Sequence, residues 1–251
     1  MGVVALTPCD LRRQELGRCL RAYRDLVGPR QVGLPAGSRR RAPGLRREEV
    51  AALAGVGVTW YTWLEQGRVT ASDQVLDAVG RVLGIDDVGR EHLRALSRPH
   101  DPLEIDPDGL RPLLASWRDD PAALLDARLD VVAANEAWTA TFAPGRHVLE
   151  QLLASTEDVV PLVHALARRL RMATDRDPGD ARLTQVRAQL RAGAPGLGAL
   201  WDCRGVGAFG RPAVRLGDTR RTAHLLAEAG AIELTGAVVL VLLPDARSTS
   251  G

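Results

Sequence analysis

At 251 residues the chain is long for one domain and comfortable for two. Hydrophobic residues make up 45% and charged residues 25%, which supports buried cores and excludes disorder as the general state. The formal net charge of +2 is a sum of opposites: residues 1–100 carry 16 arginines against 11 acids, and the remainder 17 against 20.

Every one of the 33 cationic side chains is arginine, and residues 12–47 alone reach a net +9. A basic first part joined to a slightly acidic second part points to a polyanion-binding module with a different partner on its other half. The cysteines Cys9, Cys19 and Cys203 are odd in number and scattered, and the five histidines form no HxxxH pair. That spacing implies no disulfide framework, no metal site and no cofactor. Residues 1–8 lack the basic and apolar stretches of a signal peptide, so a cytoplasmic protein is expected.

In chain order, residues 12–27 form an amphipathic helix with Leu16, Cys19, Leu20 and Tyr23 on one face, stopped by Gly28-Pro29. Residues 31–45 are a loop containing Arg39, Arg40 and Arg41. Helices follow over 46–54 and 58–66, punctuated by Gly55 and Gly67. Ser72 caps a helix running to 83, and a fifth helix covers 86–96. Four prolines mark residues 98–112 as a linker. Beyond it, strands are expected over 122–126 and 129–134, around an Ala127-Arg128 turn. Helices are expected over 136–142, 158–172 and 180–190. Strands are expected over 206–216, 222–228 and 237–243. The longest apolar run, 234–244, is too short for a bilayer, which needs roughly 20 residues, and reads as a buried strand. The expected architecture is an all-α five-helix domain over 1–97, the linker 98–112, an α+β domain with an antiparallel sheet over 113–244, and a disordered tail over 245–251.

The strongest local signal spans 47–66. A helix-turn-helix needs a small residue where its helices cross, and Ala51 supplies it. It needs a residue tolerant of positive φ in the turn, and Gly55 follows four positions later. Val50, Ala54, Val56, Tyr61 and Leu64 would hold the pair together. The second helix would then turn Val58, Thr59, Thr62 and Trp63 outward, where they can reach base edges in a major groove.

The stretch from Val32 to Gln66, with Leu34-Pro35-Ala36-Gly37-Ser38 before the three arginines and Trp60-Tyr61-Thr62-Trp63-Leu64-Glu65-Gln66-Gly67 after the turn, resembles actinobacterial XRE-type (lambda-repressor-like) regulators. More closely it is similar to the MmyB-like subgroup, in which a PAS-like ligand-binding domain follows the helix-turn-helix. Residues 121–135, Asp180-Ala181-Arg182-Leu183 and Leu200-Trp201 continue the likeness. Gly57 departs from the family, which usually has a capping serine there.

The resemblance implies that Arg39, Arg40 and Arg41 meet phosphate or the minor groove, that Arg46 and Arg47 approach the DNA backbone from the start of the second helix, and that Arg68 follows the recognition helix. It implies double-stranded DNA as partner and a homodimer on a two-fold operator. For the second domain it implies a fatty-acid-like ligand, with Leu125, Val131, Trp138, Phe142, Leu153, Leu166, Leu170, Leu190 and Trp201 as lining residues. Each of these also fits an ordinary core position. A second domain that binds a protein, or mediates dimerisation, without a ligand is the alternative. Ser155-Thr156 beside His147 and His164 matches no triad, and Gly205-Val206-Gly207 precedes strands where a dinucleotide site needs a helix, so no enzyme is expected.

Overall fold

The structure is a computed structural model that describes residues 7–35, 44–98, 107–193, 197, 206, 209–226 and 238–245. Contacts divide the chain into two units, residues 1–100 with 175–179, and residues 101–174 with 180–251.

In the first unit, α1 (Pro8–Leu26) begins earlier than the periodicity predicts. Thr7 supplies the reason. Its hydroxyl accepts from the Asp10 N–H at 3.2 Å, the Asp10 carboxylate accepts from the Thr7 N–H at 3.0 Å, and Pro8 needs no partner at the first helical position. A short 3-10 turn (Pro29–Val32) follows within the expected loop. Then come α2 (Arg47–Ala54), α3 (Val58–Glu65), α4 (Asp73–Val82) and α5 (Asp87–Ser97). Ser72 caps α4, and Asp86 caps α5 through the Gly89 N–H at 2.8 Å. Leu16, Leu20, Val50, Tyr61, Leu64, Leu76, Val79 and Leu93 meet in one buried cluster.

In the second unit, Pro107 opens α6 (Pro107–Leu114), so the final part of the expected linker is helical. Residues 99–106 of that linker lie outside the described residues. The strands β1 (Ala122–Leu125), β2 (Val131–Ala134), β3 (Ala213–Leu216), β4 (Thr219–Leu226) and β5 (Val238–Pro244) form a sheet in the order β2-β1-β5-β4-β3, with every neighbouring pair antiparallel. Strand β3 is shorter than expected because Gly210 and Arg211 both take positive φ just before it. Strand β4 starts early because a two-residue turn at Gly217-Asp218 pairs Leu216 directly with Thr219. The remainder of the 206–216 and 222–228 expectations, at 207–208 and 227–228, and residue 237 fall outside the described residues, as do 246–251 of the expected tail.

Both faces of the central strands are covered. Ala122 and Leu124 of β1 and Val239 and Val241 of β5 pack with Leu114 at the end of α6. Ala123, Leu125, Leu240 and Leu242 turn the other way, against Trp138, Leu162, Leu166 and Leu170. Two covered faces explain why these strands read as unbroken apolar runs without alternation. The remaining helices are α7 (Glu136–Thr141), α8 (Val148–Leu153), α9 (Val160–Arg176) and α10 (Ala181–Gly193). The periodicity misses α8, which is too short to display a full apolar stripe.

Candidate functional site

The turn between α2 and α3 closes as its residue types require. Gly55 sits at φ 70°, and the Val56 N–H donates to the Ala51 carbonyl at 2.9 Å. Ala51, Val50, Tyr61 and Leu64 have no exposed surface. A residue that sequence reasoning missed sets how α3 lies on α1. A Cβ added to Gly17 of α1 would stand 2.3 Å from the Glu65 carbonyl oxygen, so the backbones of the two helices touch there. No periodic pattern announces this, because only the tertiary crossing makes the glycine necessary.

A second missed residue lies at the C-terminal end of α3. The Glu65 carboxylate is fully buried, and it accepts from Arg24 Nε at 2.6 Å and Arg47 Nε at 2.7 Å, with Arg21 Nε at 4.0 Å. Arg24 also donates to the Leu45 carbonyl at 2.8 Å. One carboxylate thus ties α1, α2, the segment before α2, and α3 together. Burial alone would raise the Glu65 carboxyl, but the two guanidiniums outweigh it and hold the group below its ordinary value of 4.5. Arg24 loses stability as a cation through burial and regains more from Glu65, so its pKa rises. The Tyr61 hydroxyl is buried beside this network, with no hydrogen-bond partner of good geometry among the described residues, and burial first, then the Glu65 charge, pushes it far above the usual phenol range.

With its inner side so fixed, α3 turns a defined face outward. Val58 is 46% and Trp63 44% exposed, Thr59 is exposed, and Thr62 is half-buried with its hydroxyl donating to the Val58 carbonyl at 2.9 Å. The Thr62 oxygen keeps lone pairs for an incoming donor. Gly57 caps α3 without a side chain, so no hydroxyl stands at the N-cap position itself. Arg68 is exposed and has no ion pair among the described residues. Arg46 is exposed at the start of α2, with Glu48 at 3.6 Å. Beside it, the Arg47 guanidinium is drawn inward by Glu65, though part of its side chain stays exposed. Arg39, Arg40 and Arg41 lie outside the described residues.

In the second unit, Leu125, Trp138, Phe142, Leu166, Leu170 and Leu190 belong to one buried cluster, and Val131 packs partly buried against it. Trp138 and Phe142 pack with ring centroids 4.5 Å apart and planes tilted by 47°, and Trp138 Nε1–H donates to Gln151 Oε1 at 2.8 Å. Leu153 departs from the expectation of a lining residue. It is 42% exposed, because α8 turns Leu149 and Leu152 inward and leaves the next position on the solvent side. Trp201 lies outside the described residues. The turn joining β1 to β2 is anchored by Asp130, whose carboxylate accepts from Arg182 Nη2 at 2.7 Å and Arg146 Nε at 2.9 Å. Beside it, His147 is buried. Its Nδ1 accepts from the Leu149 N–H at 3.2 Å, which leaves Nε2–H to donate to the Arg128 carbonyl at 3.0 Å. Burial lowers the His147 pKa, against the opposing pull of Asp130.

Residues 15–93 match the family model of a helix-turn-helix domain. Residues 107–248, more than half of the chain, match the model of the MmyB-like transcription regulator ligand binding domain. Comparison with curated protein sequences finds no match.

Proposed function

The chain belongs to the MmyB-like transcription regulators, and from that membership we propose that it reads a specific operator through α3 and senses a small apolar, fatty-acid-like molecule through its second domain. At the coarser level it is a DNA-binding regulator with a ligand-binding domain. The observation that carries the reading is the polarity of α3: Tyr61, Leu64 and Glu65 are buried, while Val58, Thr59 and Trp63 stand in solvent. A helix held that firmly on one side can enter a major groove without being reshaped. In this reading Val58, Thr59, Thr62 and Trp63 meet base edges, and Arg39, Arg40, Arg41, Arg46 and Arg68 meet phosphates, with Arg47 contributing field from a fixed position. Two copies on a two-fold site supply the affinity that one short helix lacks. No helix among the described residues is long and apolar enough to cross a membrane, which suits a protein that works on DNA in the cytoplasm.

For the second domain, the apolar ligand would be held by Leu125, Val131, Trp138, Phe142, Leu166, Leu170 and Leu190, and its binding would be linked to operator affinity by about 1–3 kcal/mol. A second reading is favoured by one observation: six of these side chains already pack against one another in a single buried cluster. A closed core of that kind suits a domain that binds a protein or dimerises without a ligand.

Native mass spectrometry of the full chain, compared with its denatured mass, separates the two readings. A dimer carrying extra mass in the fatty-acid range is the expected result. A dimer whose mass and operator affinity are unchanged by added long-chain fatty acids would overturn the ligand reading and leave DNA binding in place.

A further inference from the structure

The first unit holds a group of side chains that the DNA-reading face does not use. Cys19 of α1, His92 of α5 and Asp175, at the C-terminal end of α9 in the stretch 175–179 that groups with this unit, are all buried. Their Sγ, ring nitrogen and carboxylate oxygen lie within 4.8 Å of one another. His92 is only 1% exposed, and among the described residues neither of its ring nitrogens makes a hydrogen bond. Its Nε2 stands 3.3 Å from Asp175 Oδ2. A buried imidazole with one nitrogen facing a carboxylate and the other unpaired among the described residues needs an explanation, because buried polar atoms are nearly always paired.

We propose that Cys19, His92 and Asp175 form a binding site for a divalent transition-metal ion of the zinc class. The donor set selects the ion. A thiolate and an imidazole are poor ligands for magnesium or calcium and good ones for borderline-soft cations. Charge is balanced as well: one thiolate and one carboxylate neutralise a divalent ion, so a buried site carries no net charge. Bond lengths of about 2.0–2.3 Å place tetrahedral ligand atoms about 3.3–3.8 Å apart. The His92–Asp175 pair already has that spacing, and Cys19 Sγ lies within 4.8 Å of both. Three protein ligands leave the fourth tetrahedral position to a water molecule. Metal entry releases the Cys19 proton and links α1, α5 and the 175–179 segment, so affinity rises with pH and the ion stabilises the unit. The linear sequence hides the site because its ligands come from three separate segments with no short spacing between them.

The test uses the full chain, freed of metal by a chelator and titrated with cobalt(II), then with zinc. Expected are one tightly bound equivalent, a thiolate-to-cobalt charge-transfer band, displacement by zinc, and a higher melting temperature. The band is lost in Cys19→Ser and kept in Cys9→Ser and Cys203→Ser, while His92→Gln weakens binding by about 100-fold. X-ray absorption of the zinc-loaded wild-type chain gives a result that depends on no variant: one sulfur at about 2.3 Å and lighter ligands at about 2.0 Å. No binding at excess metal, a coordination shell without sulfur, or a charge-transfer band that survives Cys19→Ser would each overturn the proposal.

Discussion

Replacing Glu65 with glutamine keeps the shape of the side chain and removes its charge. The Glu65 carboxylate has no exposed surface and the Arg24 side chain is 12% exposed, so the substitution leaves one guanidinium desolvated and facing a neutral amide. Breaking a buried pair by removing one partner costs roughly 3–5 kcal/mol. Arg24 retains Asp25 at 3.0 Å and the Leu45 carbonyl at 2.8 Å, and Arg47 can turn to solvent, so the low end of that range applies, about 3 kcal/mol. For a unit of this size, each kcal/mol corresponds to roughly 4–8 °C, so the melting temperature of the first unit falls by about 12 °C or more. The assay is thermal unfolding of the full chain by circular dichroism, with hydrogen exchange at α1–α3 amides identifying the transition. Acid sensitivity gives an independent check. The folded-state pKa of Glu65 is depressed, so its contribution is complete above its ordinary value of 4.5 and is lost as pH falls through the lower, folded value. Glu65→Gln therefore removes part of the wild-type loss of stability in that acid window. A shift below about 3 °C, or an acid profile unchanged by the substitution, would refute the assignment of Glu65 as the tie between α1, α2 and α3.

In Gly17→Ala, the new methyl meets backbone atoms that cannot rotate aside, so α1 and α3 must separate by about 1 Å, at a cost near the top of the roughly 1–3 kcal/mol range for overpacking. The better helix propensity of alanine returns about 1 kcal/mol. Calorimetry should show a net loss of roughly 5–15 °C together with weaker DNA binding, and an unshifted transition would mean that the helices do not cross so closely. Arg68→Gln should reduce the slope of log affinity against log salt by about 1 without altering base preference; an unchanged slope removes Arg68 from the phosphate contacts. Burial lowers the His147 pKa below its ordinary 6.5, so the unfolded chain binds the extra proton first and the second unit loses stability as pH falls below about 6.5. His147→Gln should flatten that pH dependence in urea unfolding followed by Trp138 burial, and a profile identical to wild type would contradict it.

Local chemistry made much of the first unit legible. Ser72 and Asp86 announce helix starts, Gly55 announces the turn, and the spacing of Tyr61 and Leu64 separates the inner from the outer side of α3. What stayed hidden depends on where segments meet. Gly17 and Glu65 acquire their roles only because α1 crosses the end of α3, and no spacing within either helix encodes that crossing. The same holds for Arg47, whose charge looks free along the chain and is engaged in three dimensions. In the second unit the strands were legible as apolar runs, but their order was not, since β5 enters between β1 and β4 from far away in sequence. The side that Leu153 takes was not legible, because α8 is too short to display a full apolar period.

The most direct test of DNA reading by α3 is selection of bound duplexes from a random pool by the full chain, run in parallel with Thr59→Ala/Thr62→Ala. The wild type should enrich a two-fold sequence motif. The double variant should keep its melting temperature and lose preference at specific base pairs, each by about 1–3 kcal/mol. Enrichment of the same motif with undiminished preference by the variant, or no motif at all from the wild type, would contradict the placement of these threonines at the base edges.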